Sequence, residues 1–343
     1  MRLFIIIFLF SLLIGQQPDK ILEGVESRAK SLDVTDRKYG DHNGNRIFNR
    51  FYNFGGIGDA GGSLSGVYPY GSGHSYFYEF TPVVAASVID TNGNRVHIVS
   101  DGAVALKDNS PQGYQWGFEP LTGYANPNQE IMAMSDKSYT WPETWPNRES
   151  DWDGYWNGQY GKYERADQES YFVMDDYYND EFSHFPDSAD TDAVPKRRSG
   201  IGVELEVRIY QWNHPAAEDI IIVTYWITNV GTSRLDSVVF GMYGDADIGS
   251  TNGDYSDDDA WFDIENDIVY QWDHDGWSNA DGGFKPVYFG WSFLESPGNP
   301  HDGIDNDEDG MIDESQFDGI DNDEDWLAER DDIGSDGLGE YHY

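Results

Sequence analysis

Alternating apolar and polar positions predict a series of short β-strands between about residues 46 and 298. The clearest stretch is 201–210, in which one alternate set is aliphatic: Ile201, Val203, Leu205, Val207 and Ile209. Successive side chains of a strand point to opposite faces, so this period of two predicts a half-buried strand with its aliphatic face inward. Residues 220–227 form a continuous β-branched and aromatic run, which predicts a strand buried on both faces.

Further strands are predicted over residues 76–89, 95–100, 236–243, 268–272 and 287–294. The first two are separated by Asp90-Thr91-Asn92-Gly93-Asn94, and the Asn-Gly pair is a strong signal for a hairpin turn. Residues 110–160 are rich in Trp, Pro and Gly and predict long irregular loops. Short strands without intervening helices predict an all-β chain, folded as one or more antiparallel β-sandwiches with long aromatic and Gly-rich loops.

The N-terminus has the pattern of a signal peptide. Arg2 precedes an apolar run from Leu3 to Ile14 that is interrupted only by Ser11, and the chain then turns polar. This run is too short to span a membrane comfortably, so we expect residues 1–16 to be removed and the protein to be secreted or displayed at the cell surface, without a membrane anchor. The remaining chain divides into a polar leader (17–45), a β-rich region with long loops (46–198), a β-sandwich region (199–298) and an Asp-rich tail (299–343).

The charge balance narrows the classes of partner. Among 343 residues, 63 are acidic and 21 are basic, and the formal net charge is −42. Binding to nucleic acid or to an anionic membrane surface requires clustered Lys and Arg, so neither is expected. The chain has no Cys, which excludes disulfides, thiolate metal sites and a Cys nucleophile. Hard cations that bind oxygen ligands are the expected partners.

A repeated Asp-rich sequence in the tail predicts calcium binding. The sequence DGIDNDED begins at Asp302 and again at Asp318. Alternate Asp residues, with a Gly at the sixth loop position in the first copy, suit a loop that coils around calcium, although the first copy has Gln316 where an EF-hand has Glu and the second has Trp326 in place of Gly. The candidate ligands are Asp305, Asp307, Asp309, Met311 (through its carbonyl) and Asp313 in the first copy, and Asp321, Asp323 and Asp325 in the second. The alternative is a solvated acidic tail.

A second acidic cluster is predicted at the ends of strands in the sandwich region. Its members are Asp245, Asp247, Asp257, Asp259, Asp273 and Asp275. These carboxylates could share a calcium ion or bind a polar ligand. They could equally cap turns, because Asp is a common turn residue.

An aromatic segment supplies the alternative function. Sugars stack on aromatic rings, and the candidate rings are Trp141, Trp145, Trp152 and Trp156. Asp151, Asp153, Glu164 and Asp167 lie nearby in sequence, and glycoside hydrolysis requires a facing pair of carboxylates. Proximity in sequence is weak evidence for such a pair in so acidic a chain, so no catalytic residue is assigned.

Several motifs resemble known families. The tail repeat is similar to the calcium repeats of the thrombospondin type 3 kind. Large secreted proteins of the type IX secretion kind resemble this chain over most of its length from about residue 46. The motifs concerned are residues 165–171 (RADQESY), 174–176 (MDD), 239–249 (VFGMYGDADIG), 290–297 (GWSFLESP) and the DGIDNDEDG repeat. The resemblance implies a surface or released protein with β-sandwich regions and carries no assigned activity. We therefore expect an exported, non-enzymatic protein with a structural or adhesive role, and a polysaccharide-binding protein or glycoside hydrolase is the alternative.

Overall fold

A computed structural model describes the backbone of residues 3–13 and residues 36–60, 65–103, 116–192, 197–233, 235, 237–249, 257–264 and 266–295. Within these residues the chain is built from β-strands, with short 3-10 turns at Ser138–Thr140, Ser150–Trp152 and Ala280–Gly282. None of the described helices has the length and apolar character needed to cross a membrane. The prediction of an all-β chain is confirmed.

Fourteen strands are described, in three sheets. The strands are β1 Leu3–Leu13, β2 Tyr39–His42, β3 Asn49–Tyr52, β4 Phe77–Ile89, β5 Arg95–Asp101, β6 Glu119–Pro120, β7 Ala133–Met134, β8 Gln168–Asp175, β9 Val203–Gln211, β10 Ile220–Asn229, β11 Val238–Ala246, β12 Asp258–Asp263, β13 Ile268–Asp273 and β14 Tyr288–Glu295. The large sheet has the order β12-β13-β14-β1-β10-β9-β8-β6, with β7 also paired to β8. The small sheet has the order β11-β4-β5, and β2 pairs with β3.

The two main sheets pack face to face as a sandwich. Val84 of β4 and Ile98 of β5 belong to the same buried cluster as Val207 of β9 and Val223 of β10. Strand pairs within the sheets are antiparallel, except that β1 runs parallel to both β10 and β14. The predicted antiparallel sandwich is therefore confirmed, with one parallel strand inserted into the large sheet.

Strand β9 has the predicted register. All five of the aliphatic residues predicted to point inward are buried: Ile201, Val203, Leu205, Val207 and Ile209. The opposite face is less exposed than the pattern predicted, because Arg208 and Tyr210 are buried as well. The guanidinium group of Arg208 lies 4.1 Å from the centroid of the Tyr171 ring and donates to the carbonyl of Asn157, so the loop containing Asn157 covers this end of the strand.

The prediction that β10 is buried on both faces is wrong. Burial alternates along the strand, with one set of side chains buried and the intervening set half-buried. Tyr225, from the buried set, packs against Phe240 of β11, with ring centroids 5.3 Å apart. A β-branched run therefore also fits a strand whose second face is only partly covered.

The hairpin predicted at Asn92-Gly93 is confirmed. Strands β4 and β5 pair antiparallel, and the N–H of Asp90 donates to the carbonyl of Asn94 at 2.8 Å. The carboxylate of Asp90 accepts from the N–H groups of Asn92 and Asn94, at 2.9 and 2.7 Å. Gly93 has φ of +83°, a conformation that favours glycine.

Strands from the two predicted β regions share both sheets. Strand β4 from the first region pairs with β11 from the second, and β8 pairs with β9. The position between residues 198 and 199 therefore does not divide the described chain into two structural units. Folded structure also starts before residue 46, because β2 lies within the predicted polar leader and its His42 is buried.

Candidate metal centre

The ends of three strands place several carboxylates in one region. Strand β11 ends at Ala246, and the chain then turns inward at Asp247. Asp258, the first residue of β12, pairs with Asp273, the last residue of β13. Asp273 is only 4% exposed, which is unusual for an Asp without a charged partner.

Asp257, Asp273 and Asp275 converge on a common point. Each of them contributes one carboxylate oxygen, and these three oxygens lie within 4.8 Å of one another. Calcium–oxygen distances are about 2.4 Å, so two oxygens bound to the same ion lie at most about 4.8 Å apart. The three carboxylates therefore have a spacing that one calcium ion could bridge.

Buried oxygens on and beside the β12–β13 ladder lack hydrogen-bond donors. Within the described part of the chain, four such atoms have no partner: Asp257 Oδ1, Asp258 Oδ1, Gln271 Oε1 and Asp273 Oδ2. The other oxygens of two of these side chains are satisfied, since Asp273 Oδ1 accepts the N–H of Trp277 and Asp258 Oδ2 accepts that of Ile248, both at 2.8 Å. An unsatisfied buried oxygen is costly, and a bound cation would remove that cost.

The local electrostatics also favour a cation. Burial, with smaller contributions from the nearby carboxylates of Asp273, Asp247 and Asp257, raises the pKa of Asp258 to about 7. Burial, together with Asp245, raises the pKa of Asp247 to about 6. The pKa of Asp273 is raised chiefly by burial. A divalent cation would oppose these shifts because it stabilises the ionised carboxylates.

A close approach of the backbone shapes one wall of the centre. Gly249 has φ of +100°, and a Cβ atom at this position would lie 2.9 Å from Cβ of Ser278 and 3.5 Å from Asp273 Oδ2. Ser278 donates its hydroxyl hydrogen to the carbonyl of Gly249. A residue larger than glycine would therefore push this turn away from the strand end that carries Asp273.

The six Asp residues predicted as a cluster are only partly brought together. Asp257, Asp273 and Asp275 meet, and Asp247 lies close enough to affect the pKa of Asp258. Asp245 is exposed, and Asp259 is directed elsewhere, because its Oδ2 is 2.7 Å from Nδ1 of His274.

Gln271 was missed in the sequence, and Asp258 was not among the six predicted members of the cluster although it lies between two of them. Both lie on the Asp273 side of the β12–β13 ladder, where Ala260 pairs with Gln271. Residues 271 and 273 point to the same face of β13, so Gln271 is a neighbour of Asp273. That Asp258 shares this face follows only once β12 is recognised as a strand.

The tail candidates lie outside the described residues. These are Asp305, Asp307, Asp309, Met311, Asp313, Asp321, Asp323 and Asp325. Calcium binding by the tail therefore stays a prediction.

The stacking prediction is wrong for two of the four Trp residues. Trp145 and Trp156 are 3% and 1% exposed, and they form a core cluster with Tyr171, against which Trp141 and Trp152 pack partly buried. The indole N–H groups of Trp145 and Trp156 are also satisfied internally, by the carbonyl of Tyr155 at 2.9 Å and by Glu169 at 2.8 Å. Rings enclosed in this way offer no face to a sugar.

Two of the nearby carboxylates have protein partners. Asp151 pairs with Lys162 at 2.6 Å, and Asp167 accepts the N–H of Asn213 at 2.7 Å. Both carboxylates therefore have partners within the protein, and neither requires a substrate as its partner.

No protein-family model matches the chain, and no curated protein and no solved structure matches it.

Proposed function

We propose that the protein is an exported, non-enzymatic β-sandwich protein with a structural or adhesive role, and that it binds calcium at the centre formed by Asp257, Asp258, Gln271, Asp273 and Asp275. One observation carries the proposal. Carboxylate oxygens of Asp257, Asp273 and Asp275 converge, and Asp273 is buried with Oδ2 lacking a donor.

Calcium fits this donor set better than other common ions. All of the candidate ligands are oxygens, which hard cations prefer, whereas zinc and copper favour Cys and His. His274, the neighbouring imidazole, has its Nδ1 occupied by Asp259. Magnesium requires tight octahedral geometry and retains its waters, so a centre spread over two strand ends and the turn at Asp275 suits calcium better.

A bound ion would have a structural role. Through Asp258 and Asp273 it would join the start of β12 to the end of β13, and the bond from Ile248 N–H to Asp258 would couple the turn after β11 to the same point. Extracellular calcium modules bind with Kd of roughly 10⁻⁴ to 10⁻³ M. Such a site would be filled outside the cell, where calcium is abundant, so calcium would stabilise the exported protein.

The experiment is thermal and chemical unfolding of the full chain, with and without 5 mM calcium. For a Kd near 0.5 mM, calcium should add about 1.4 kcal/mol to the free energy of unfolding. Asp273→Asn should abolish most of this gain, because the amide supplies a neutral oxygen in place of a charged one. Asp259→Asn is the matched control, since it lies on the same ladder but contacts His274, and it should keep the gain. An equal gain in the wild type and in Asp273→Asn would refute the proposed centre.

A further inference from the structure

Strands β10 and β14 of the large sheet are separated by the width of one strand, and β1 occupies the position between them. These two strands are not neighbours, since each pairs instead with β1, β10 over residues 220–228 and β14 over residues 288–295. Neighbouring strands lie about 4.8 Å apart, so β10 and β14 are separated by about 9.6 Å. Strand β1 lies within the segment that the sequence predicts to be removed on export.

Apolar core residues border this space. Val223 and Tyr225 of β10 and Phe289 of β14 are buried on the side that faces the small sheet. The register places the backbone of Ile6 opposite Ile221 on one side and opposite Trp291 on the other. Removal of β1 would open the core between these rows and leave two lines of backbone N–H and C=O groups unpaired.

We propose that this space is a strand-acceptor site. In the processed protein it binds an apolar β-strand of another polypeptide, which runs parallel to β10 and β14. The site is separate from the calcium centre, and the proposal does not depend on calcium.

The pairing of β1 defines the chemistry of the bound strand. Seven to nine residues must be extended, because β1 pairs with β10 from Ile5↔Ile220 to Leu13↔Thr228. Residues 3–13 (LFIIIFLFSLL) contain no charge, so the site suits an uncharged strand. In strand addition of this kind, main-chain hydrogen bonds supply the affinity and alternate side chains supply the selectivity.

Charge argues that the strand comes from a different protein. Two copies that each carry a net charge of −42 repel one another, which disfavours exchange of strands between copies of this chain. A donor strand flanked by Lys or Arg would instead be attracted to the acidic acceptor. The expected partner is therefore a polypeptide with a neutral apolar strand and basic flanking residues.

The experiment uses the full chain with a specific protease site inserted after Gln17. The chain is folded first and then cut, so that β1 becomes a separate peptide that can exchange. The probe is a fluorescent peptide with the sequence of residues 3–13 followed by three lysines. The control probe carries Phe8→Pro, since proline cannot donate to a β-ladder.

We expect the probe to bind the cut chain saturably, at least tenfold more tightly than the proline control, and to slow amide exchange in β10 and β14. The uncut chain should bind neither peptide. If cutting unfolds the chain, refolding by the probe but not by the control supports the proposal, and no refolding by either overturns it.

Three further results would overturn the proposal. Slow amide exchange in β10 and β14 after loss of the β1 peptide would mean that the two strands close onto each other. Equal binding of both probes would mean non-specific apolar association. Dimer formation after cutting, measured by sedimentation, would make a second copy the occupant.

Discussion

His42 is a buried ionisable side chain remote from the proposed calcium centre. Its Nε2 lies 2.9 Å from Oγ of Ser170, while Nδ1 has no partner in the described structure. Burial, with a smaller contribution from Lys137, lowers the pKa of His42 to about 3. Between pH 6.5 and about 3 the unfolded chain therefore binds a proton that the native protein excludes. The contribution of His42 to stability is complete above pH 6.5 and declines as the pH falls, by at most about 1.4 kcal/mol per pH unit.

Replacement of His42 tests this pH dependence. His42→Asn should flatten the plot of unfolding free energy against pH between 6.5 and 4, measured by urea denaturation. The control is His97→Asn, because His97 is exposed on β5 and its replacement should leave the slope unchanged. A slope for His42→Asn equal to that of the wild type would show that burial of His42 does not destabilise its charged form.

Leu205 tests the register of β9. Its side chain is 0% exposed and the residue pairs with Ile227 on one side and Met174 on the other. Leu205→Ala should lower the free energy of unfolding by about 2–5 kcal/mol, because it leaves a cavity in the core. Glu204→Ala, on the half-exposed face, should cost less than about 1 kcal/mol. Greater sensitivity at Glu204, measured by chemical denaturation, would contradict the register.

At the scale of elements, two glycines of β11 make a matched pair. A Cβ atom at Gly244 would lie 1.9 Å from Cε1 of Phe80, whereas one at Gly241 would meet nothing within 4 Å. Phe80 cannot easily move, because its ring packs against Phe289 and Trp291, with centroids 5.3 and 4.8 Å away. The ring of Phe80 on β4 therefore covers Gly244, whereas the space beside Gly241 is open.

Alanine at these two positions should have different effects. Gly244→Ala should destabilise the protein by about 1–3 kcal/mol through overpacking against Phe80. Gly241→Ala should be neutral or stabilising by up to about 1 kcal/mol, since it restricts only the unfolded chain. Thermal unfolding of both variants provides the measurement. Equal effects would mean that the small sheet adjusts to the added methyl group.

The elements that the sequence predicted well are those with a local signal. The alternation in β9 and the Asn-Gly turn between β4 and β5 needed no knowledge of distant partners. Strand β8 was not predicted, because its sequence QESYFVMD begins with polar residues and yet all eight residues are buried. Those polar groups are satisfied by remote partners, as when Gln168 Oε1 accepts the N–H of Asn43 and Glu169 accepts from Trp156.

The candidate metal centre could also be predicted only in part from local sequence. The sequence predicted Asp273 and Asp275 as members of an acidic cluster at a strand end. It did not predict that Asp258 lies opposite Asp273, because that pairing depends on the β12–β13 ladder. Trp145 and Trp156 had the composition of a sugar platform, and only the three-dimensional packing around Tyr171 identifies them as core. Residue type therefore predicted the chemistry, whereas burial decided which residues take part.

For the molecule as a whole, the Asp-rich tail gives a separate calcium prediction. Without a cation, the carboxylates of residues 299–343 should repel one another and keep the segment extended. Calcium should close the first loop through Asp305, Asp307, Asp309 and Asp313, with Kd of roughly 10⁻⁴ to 10⁻³ M, and magnesium should compete poorly. Calorimetry on a peptide of residues 299–343 provides the measurement.

Two substitutions make the tail measurement specific. Asp307→Ala and Asp309→Ala should each weaken calcium binding, because each removes a ligand from the first loop. Weak, salt-sensitive binding of both ions that these substitutions leave unchanged would mean a diffuse polyanion without a defined site.

The parallel insertion of β1 also fixes the order in which the chain can fold during synthesis. Strands β8, β9 and β10 are neighbours in sequence and in the sheet, so they can pair as soon as they are made. Strand β1 precedes its partners by more than 200 residues, since they begin at Ile220 in β10 and at Tyr288 in β14. Pairings so distant in sequence form slowly, because loop closure precedes any gain from contact. The growing chain therefore keeps the apolar segment of β1 without its sheet partners until both β10 and β14 have been made.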